Sequence, residues 1–128
     1  MPDSFGSAVN CIDGRVQDPV ATYLRRTYGI KFVDMITEPG INLILADNTD
    51  PAVVENIKKR LGISVHHHGS KVVAIVGHPD CGGNPASKEE QILHLRQAQK
   101  TVASFGFPVE IILLWVEEDW ETVEVIAP

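Results

Sequence analysis

The chain has two cysteines, and each stands in a short polar island beside groups able to do chemistry: Cys11-Ile12-Asp13-Gly14-Arg15 and His78-Pro79-Asp80-Cys81. Each island follows small or apolar residues, Ser7-Ala8-Val9 before the first and the run from Val72 to Gly77 before the second. A hydrophobic run that ends in a polar, glycine-bearing turn reads as a buried strand delivering side chains to a loop. If the two strands are parallel neighbours, Cys11, His78 and Cys81 meet at the carboxyl edge of a sheet, where open α/β sheets bind ligands. Two thiolates and one imidazole are three zinc ligands with a fourth position open, the layout of a catalytic zinc site. The i, i+3 spacing of His78 and Cys81 lets one turn wrap one ion, so one zinc per chain is expected. The plainer alternative is two buried thiols beside a satisfied histidine. A redox pair has no Cys-x-x-Cys to support it.

Asp13 and Arg15 have two readings. As a surface ion pair they would contribute little. Two and four residues beyond a zinc ligand, they can instead form a dyad, Arg15 keeping the Asp13 carboxylate ionised as an acceptor for a zinc-bound water. Gly82 and Gly83 either let the backbone approach a metal or an anion closely, or simply make a turn before a helix. His66, His67 and His68 point in three directions about 100° apart on a helix and do not converge on one ion. Their expected role is to close a helix with partial positive charge. Glu117-Glu118-Asp119 reads as a solvated loop, with proton carriage as the alternative, and His94 as a surface or packing residue.

The elements that must position these groups follow from pattern. Residues 7–11 read as a first strand. A helix over 17–28 shows Val20, Leu24 and Tyr28 on one face and stops at Gly29. Residues 30–36 read as a second strand, closed by Glu38-Pro39-Gly40. Asn48-Thr49-Asp50-Pro51 starts a helix expected to reach His68, with Gly69 as a left-handed cap. Residues 71–77 are apolar throughout and so form a central strand covered on both faces. Ser87 caps a helix of about 88–105 whose inner stripe is Ile92, Leu95, Gln99 and Val102, widened by Leu93 and Ala98. Residues 109–116 form a buried strand, and 121–126 alternate like an edge strand. The fold class is α/β: a three-layer α/β/α domain over 1–128, with a mostly parallel central sheet of about four strands plus an edge strand.

Composition sets the bounds. At 128 residues the chain is one domain, and 44% hydrophobic with 22% charged residues is ordinary for a globular protein. The net charge of −6, with no basic block longer than Lys58-Lys59-Arg60, argues against nucleic acid and anionic membranes as partners. No apolar run approaches the ~20 residues of a membrane span. Met1-Pro2-Asp3-Ser4 lacks the basic stretch and apolar core of a signal peptide. Two cysteines make no secreted disulfide framework. A cytoplasmic location is expected.

With these residues in view, Cys-x-Asp-x-Arg followed at long range by His-x-x-Cys-Gly resembles the β-class carbonic anhydrases. The segment from Val65 to Val73 is similar to the helix and central strand that precede the second motif in that family. Ile36-Thr37-Glu38-Pro39-Gly40-Ile41 stands where members carry an Arg-Asn-Ala-Gly-like turn. The resemblance covers roughly residues 8–116. It implies reversible hydration of carbon dioxide to bicarbonate by metal-bound hydroxide, with Zn2+ on Cys11, His78 and Cys81 and with Asp13 and Arg15 as the catalytic dyad. It also implies a resting state in which Asp13 binds zinc until Arg15 draws it off, and a homodimer or higher homo-oligomer.

The chain departs from the family pattern in three places. Ile12 and Gly14 replace the serines that usually flank the first-motif aspartate. Glu38-Pro39 replaces Arg-Asn, which removes a positive charge and predicts weaker bicarbonate binding. Only six residues precede Ser7, where ordinary members carry N-terminal helices. Val33, Met35 and Ile36 are the apolar residues expected to line a carbon dioxide pocket. Relatives with this ligand set include hydrolases of carbonyl sulfide or carbon disulfide, which is the alternative activity. A non-catalytic zinc-binding or regulatory module is the alternative outside enzymes.

Overall fold

The chain forms a five-stranded sheet in the order β2-β1-β3-β4-β5, with runs rich in valine, isoleucine and leucine at its third and fourth strands. The strands are β1 (Phe5–Cys11), β2 (Phe32–Glu38), β3 (Val72–Gly77), β4 (Glu110–Val116) and β5 (Val123–Ile126). The computed structural model describes residues 4–128, so residues 1–3 of the start read above for a signal peptide lie outside the described residues. The first four strands are parallel and β5 runs antiparallel on the edge of β4. This is the expected α/β architecture, with β3 at the centre and buried along its whole length.

Among the described residues four α-helices cover the sheet: α1 (Gln17–Tyr28), α2 (Ile41–Asp47), α3 (Pro51–His66) and α4 (Lys88–Ser104). Strand alternation sends successive side chains to opposite faces. Ala8, Ala74, Val76 and Leu114 pack with Val20 and Leu24 of α1. Val9, Val73, Ile75 and Leu113 pack with Leu45, Ile57, Leu61 and Leu95 from the other three helices. Burying each such side chain fully contributes about 1.5–3 kcal/mol.

α1 has the expected bounds because Gly29, at φ 65°, ends it with its N–H on the Arg25 carbonyl. α3 begins as expected, the Asp50 side chain accepting from the Val53 N–H at 3.3 Å. It ends at His66 rather than His68, with His67 as the cap. The His68 ring is drawn off the helix, bonding Asp34 Oδ2 at 2.6 Å and stacking on Phe5 at 4.1 Å. Gly69 is left-handed, at φ 75°, but lies beyond the cap.

β2 is displaced by two residues from its expected bounds and runs on to Glu38, which pairs with Cys11 in the ladder. The strand therefore includes the glutamate assigned to a turn. The inner face of α4 is Gln91, Leu95, Ala98 and Val102, while Leu93 is 59% exposed. Gln91, outside the expected stripe, is buried because its amide has carbonyl partners, described below, whereas Ile92 and Gln99 of that stripe are half-buried. β5 starts at Val123, two residues late, because Asp119 holds the preceding chain in a turn. α2 has no counterpart in the sequence reading. Among the described residues no helix is long and apolar enough to cross a membrane.

Candidate metal centre

β1 and β3 are parallel partners, so their carboxyl ends deliver Cys11 and the His78 loop to one place. The ligand atoms of Cys11, His78 and Cys81 lie within 4.8 Å of one another, and all three residues are buried. Asp80 adopts φ 53°, and this left-handed residue turns the chain between His78 and Cys81. The Nδ1–H of His78 donates to the Pro79 carbonyl at 2.6 Å. That bond fixes the tautomer and leaves the Nε2 lone pair free. Nε2 is buried and, among the described residues, has no hydrogen-bond partner. A buried acceptor without a donor is costly unless something else satisfies it, and a metal ion held by these three residues would do so.

The two sulfurs stand 3.8 Å apart. The hydrogen bond from Cys81 lowers Cys11 to about 3 against the opposing effect of burial, and the adjacent His78 ring and then the N–H groups of Gly40 and Asp13 add to the lowering. The same bond raises Cys81, so the pair shares one proton. A dication would take the place of that proton, and a donor set of two thiolates with one imidazole suits zinc.

Beside this cluster, Arg15 grips Asp13 in a fork. Nη2 donates to Oδ2 at 2.7 Å and Nε to Oδ1 at 3.1 Å, while the Arg15 backbone N–H also donates to Oδ1 at 2.9 Å. These bonds hold Asp13 down at about 2, the side-chain bond being the largest cause. Arg15 also reaches the second motif, donating to Asp80 Oδ2 at 3.3 Å and to the Asp80 carbonyl at 3.2 Å. One guanidinium thus ties the two motif loops together. Asp13 stands outside the ligand cluster, on Arg15.

Trp120, which sequence reasoning missed, covers this pair. The Arg15 guanidinium carbon lies 4.0 Å from its ring centroid, and the His78 ring meets it edge-on at 5.9 Å. The only sequence signal was an aromatic residue in the loop after a buried strand. Glu118 and Asp119 of that loop are exposed, as expected, and the loop is also a structured turn: Glu117 accepts from Trp115 Nε1 at 3.0 Å, and Asp119 Oδ1 accepts from the N–H groups of Glu121 and Thr122.

The two glycines after Cys81 differ. Gly82 faces open space, whereas a Cβ on Gly83 would meet Pro39 C at 2.4 Å and Gly40 N at 2.6 Å. Gly83 therefore allows the loop after Cys81 to press on the loop after β2, a backbone-to-backbone approach that explains it without an anion. Gly83→Ala is expected to cost about 1–3 kcal/mol through overpacking, read as a fall in Tm, with Gly82→Ala as the mild control. An unchanged Tm in Gly83→Ala would contradict this close approach.

Beneath the ligand loop, the buried Gln91 Nε2 donates to the His78 carbonyl at 2.8 Å, and Asn42 Nδ2 donates to Gln91 Oε1 at 3.0 Å. Asn84 joins them, donating to Asn42 Oδ1 at 3.2 Å and to His94 Nδ1 at 3.0 Å, so His94 is a packing residue. His66, on Phe107, and His68, on Asp34, precede β3, so the whole strand separates them from His78, which follows it. Val33, Met35 and Ile36 lie on rungs of the ladder below Cys11, and Ile36 is part of the core packed with α2, α3 and α4. Val33 and Met35 pack against the cluster that holds Cys11 and Cys81. Glu38 pairs with Cys11 in the ladder, but its carboxylate is bound to Arg60 at 2.6 Å, so its charge is neutralised there.

A sequence model of a family described as "Putative carbonic anhydrase" matches residues 1–126. No curated protein matches the chain. Among solved structures it is similar to the carbonic anhydrase of Streptococcus mutans, with TM-score 0.60, 13% identity, and 94% of this chain and 80% of that one covered. It is also similar to tetrameric β-carbonic anhydrases of the ascomycete Sordaria macrospora (TM-score 0.55, 13% identity, 98% and 81% covered). A carbonic anhydrase from Glaciozyma antarctica gives TM-score 0.54 at 16% identity, with 99% and 85% covered. At such identities the structures establish the fold, and the family model establishes membership. With a β-carbonic-anhydrase fold and a match over nearly its whole length, the chain belongs to this carbonic anhydrase family.

Proposed function

We propose that this chain is a zinc-dependent enzyme that interconverts carbon dioxide and bicarbonate, acting as one domain over 1–128 with one zinc per chain. The observation that carries the reading is the unpartnered, buried Nε2 of His78 converging with two thiols beside an ionised Asp13–Arg15 pair. Cys11, His78 and Cys81 hold the ion. Zinc, when bound, supplies a Lewis acid that makes water acidic near neutral pH.

Two thiolates donate more charge than imidazoles would, so water at this centre needs help from a neighbouring acceptor. Asp13 is suited to that role. Its Oδ1 accepts two bonds from Arg15 and its Oδ2 accepts one, which leaves one acceptor position on Oδ2. Arg15 keeps the carboxylate ionised and fixes its orientation. Carbon dioxide, being uncharged, is positioned by shape and exclusion of water rather than by ion pairing.

Zinc-quantified protein assayed in parallel for carbon dioxide hydration and carbonyl sulfide hydrolysis tests the substrate. Faster carbonyl sulfide turnover would assign the chain to the hydrolases, and inactivity toward both would make it a zinc-binding module. The chain works as a homo-oligomer in the cytoplasm, where its two free cysteines stay reduced. β2 leaves one ladder edge unpaired, with Phe32 39% exposed on it. Light scattering at micromolar concentration is expected to give at least a dimer; a monomer would contradict the assembly.

A further inference from the structure

Trp120 has a backbone that its side chain does not favour. It sits at φ 58°, a region where a bulky residue is a rare choice and glycine or asparagine is the usual one. The turn around it is stiff. Trp120 N–H donates to the Glu117 carbonyl and Glu117 N–H to the Thr122 carbonyl, both at 2.9 Å, while Thr122 Oγ1 donates to Asp119 Oδ2 at 2.6 Å. These bonds hold the residue in place whatever its side chain. An outlier held by its surroundings and lying at a functional site points to a role for that side chain.

The role is legible in how Arg15 is gripped. Its in-plane N–H groups are directed to Asp13 and to Asp80, and one face of the guanidinium lies against the Trp120 ring. The side chain of Arg15 is otherwise 42% exposed, so bonds to carboxylates alone leave it free to exchange partners with water. An aromatic face over a guanidinium attracts it and removes one side from solvent. The same ring meets His78 edge-on, so one side chain refers both the dyad and a metal ligand to the β4–β5 turn.

We infer that Trp120 is a positioning residue: its ring fixes the Arg15 guanidinium and, through it, the direction in which Asp13 Oδ2 presents its remaining acceptor position. This rests on the carbon dioxide reading for its effect on turnover, but not for its effect on Arg15. The test uses the zinc-loaded full chain with Trp120→Gly, which suits the φ of the turn and removes the ring, and Trp120→Phe, which keeps an aromatic face. The readouts are the Arg15 Nε–H resonance and its hydrogen exchange by NMR, zinc content, and kcat and KM for carbon dioxide.

In Trp120→Gly, Arg15 Nε–H is expected to lose its ring-current shift and exchange about tenfold faster. With zinc still at one per chain, kcat falls about tenfold and KM changes little. Trp120→Phe restores most of both. Wild-type exchange and kcat in Trp120→Gly would overturn the inference, as would a loss that Trp120→Phe does not rescue. If the wild-type protein hydrates no carbon dioxide, the functional reading fails while the Arg15 resonance still decides the role of Trp120.

Discussion

Cys81→Ser is expected to lose most of its zinc and a large part of the stability that zinc confers. A serine hydroxyl is not ionised near neutral pH and is a poorer ligand for zinc than thiolate, so only Cys11 and His78 remain to hold the ion. The loss reaches the fold because the centre clamps the end of β1 to the loop after β3. Metal that binds only the native chain stabilises it by RT ln(1 + [L]/Kd), about 4 kcal/mol at a thousandfold excess over Kd. Cys81→Ser removes most of this, read as a fall in Tm that added zinc no longer reverses. His78→Ala is expected to behave alike. Full occupancy in Cys81→Ser, measured by elemental analysis after dialysis, would contradict the ligand assignment.

Asp13→Asn is expected to keep its zinc and lose turnover by roughly 10²–10⁴-fold, the range for removing a positioned proton acceptor. The amide matches the carboxylate in shape but carries no charge. It offers one oxygen where Arg15 now uses two, and it presents N–H donors where water needs an acceptor. An ordinary exposed ion pair would predict almost no change in kcat. The size of the loss therefore separates the two readings of this pair. Steady-state hydration at matched zinc content measures it, and wild-type turnover in Asp13→Asn would leave the pair a purely structural link between the two motif loops.

The ligand cluster was legible because its signals are local: each cysteine sits within a few residues of a strand end, and alternation of apolar runs with helices implied parallel neighbours. α1 and the start of α3 were equally legible, Gly29 and Asp50 being strong stop and start signals. What was not legible depends on contacts distant in sequence. α2 is seven residues long, is flanked by left-handed Gly40 and Asn48, and has no side-chain cap, so its pattern is too short to separate from a turn. Gly83 could serve approach to a metal or anion or simply a turn until the loop after β2 was placed against it. Gln91 carried no sequence signal, yet it is fully buried because the His78 carbonyl needs a donor. Trp120 acquires meaning only once the β4–β5 turn returns it over Arg15.

The central claim is that zinc held by Cys11, His78 and Cys81 lets this chain hydrate carbon dioxide. Stopped-flow hydration, followed by a pH indicator while zinc is titrated into metal-stripped protein, tests it most directly. The account predicts a rate that rises in proportion to bound zinc, levels at one ion per chain and disappears on chelation. A fully zinc-loaded wild-type protein that hydrates carbon dioxide no faster than buffer would contradict it.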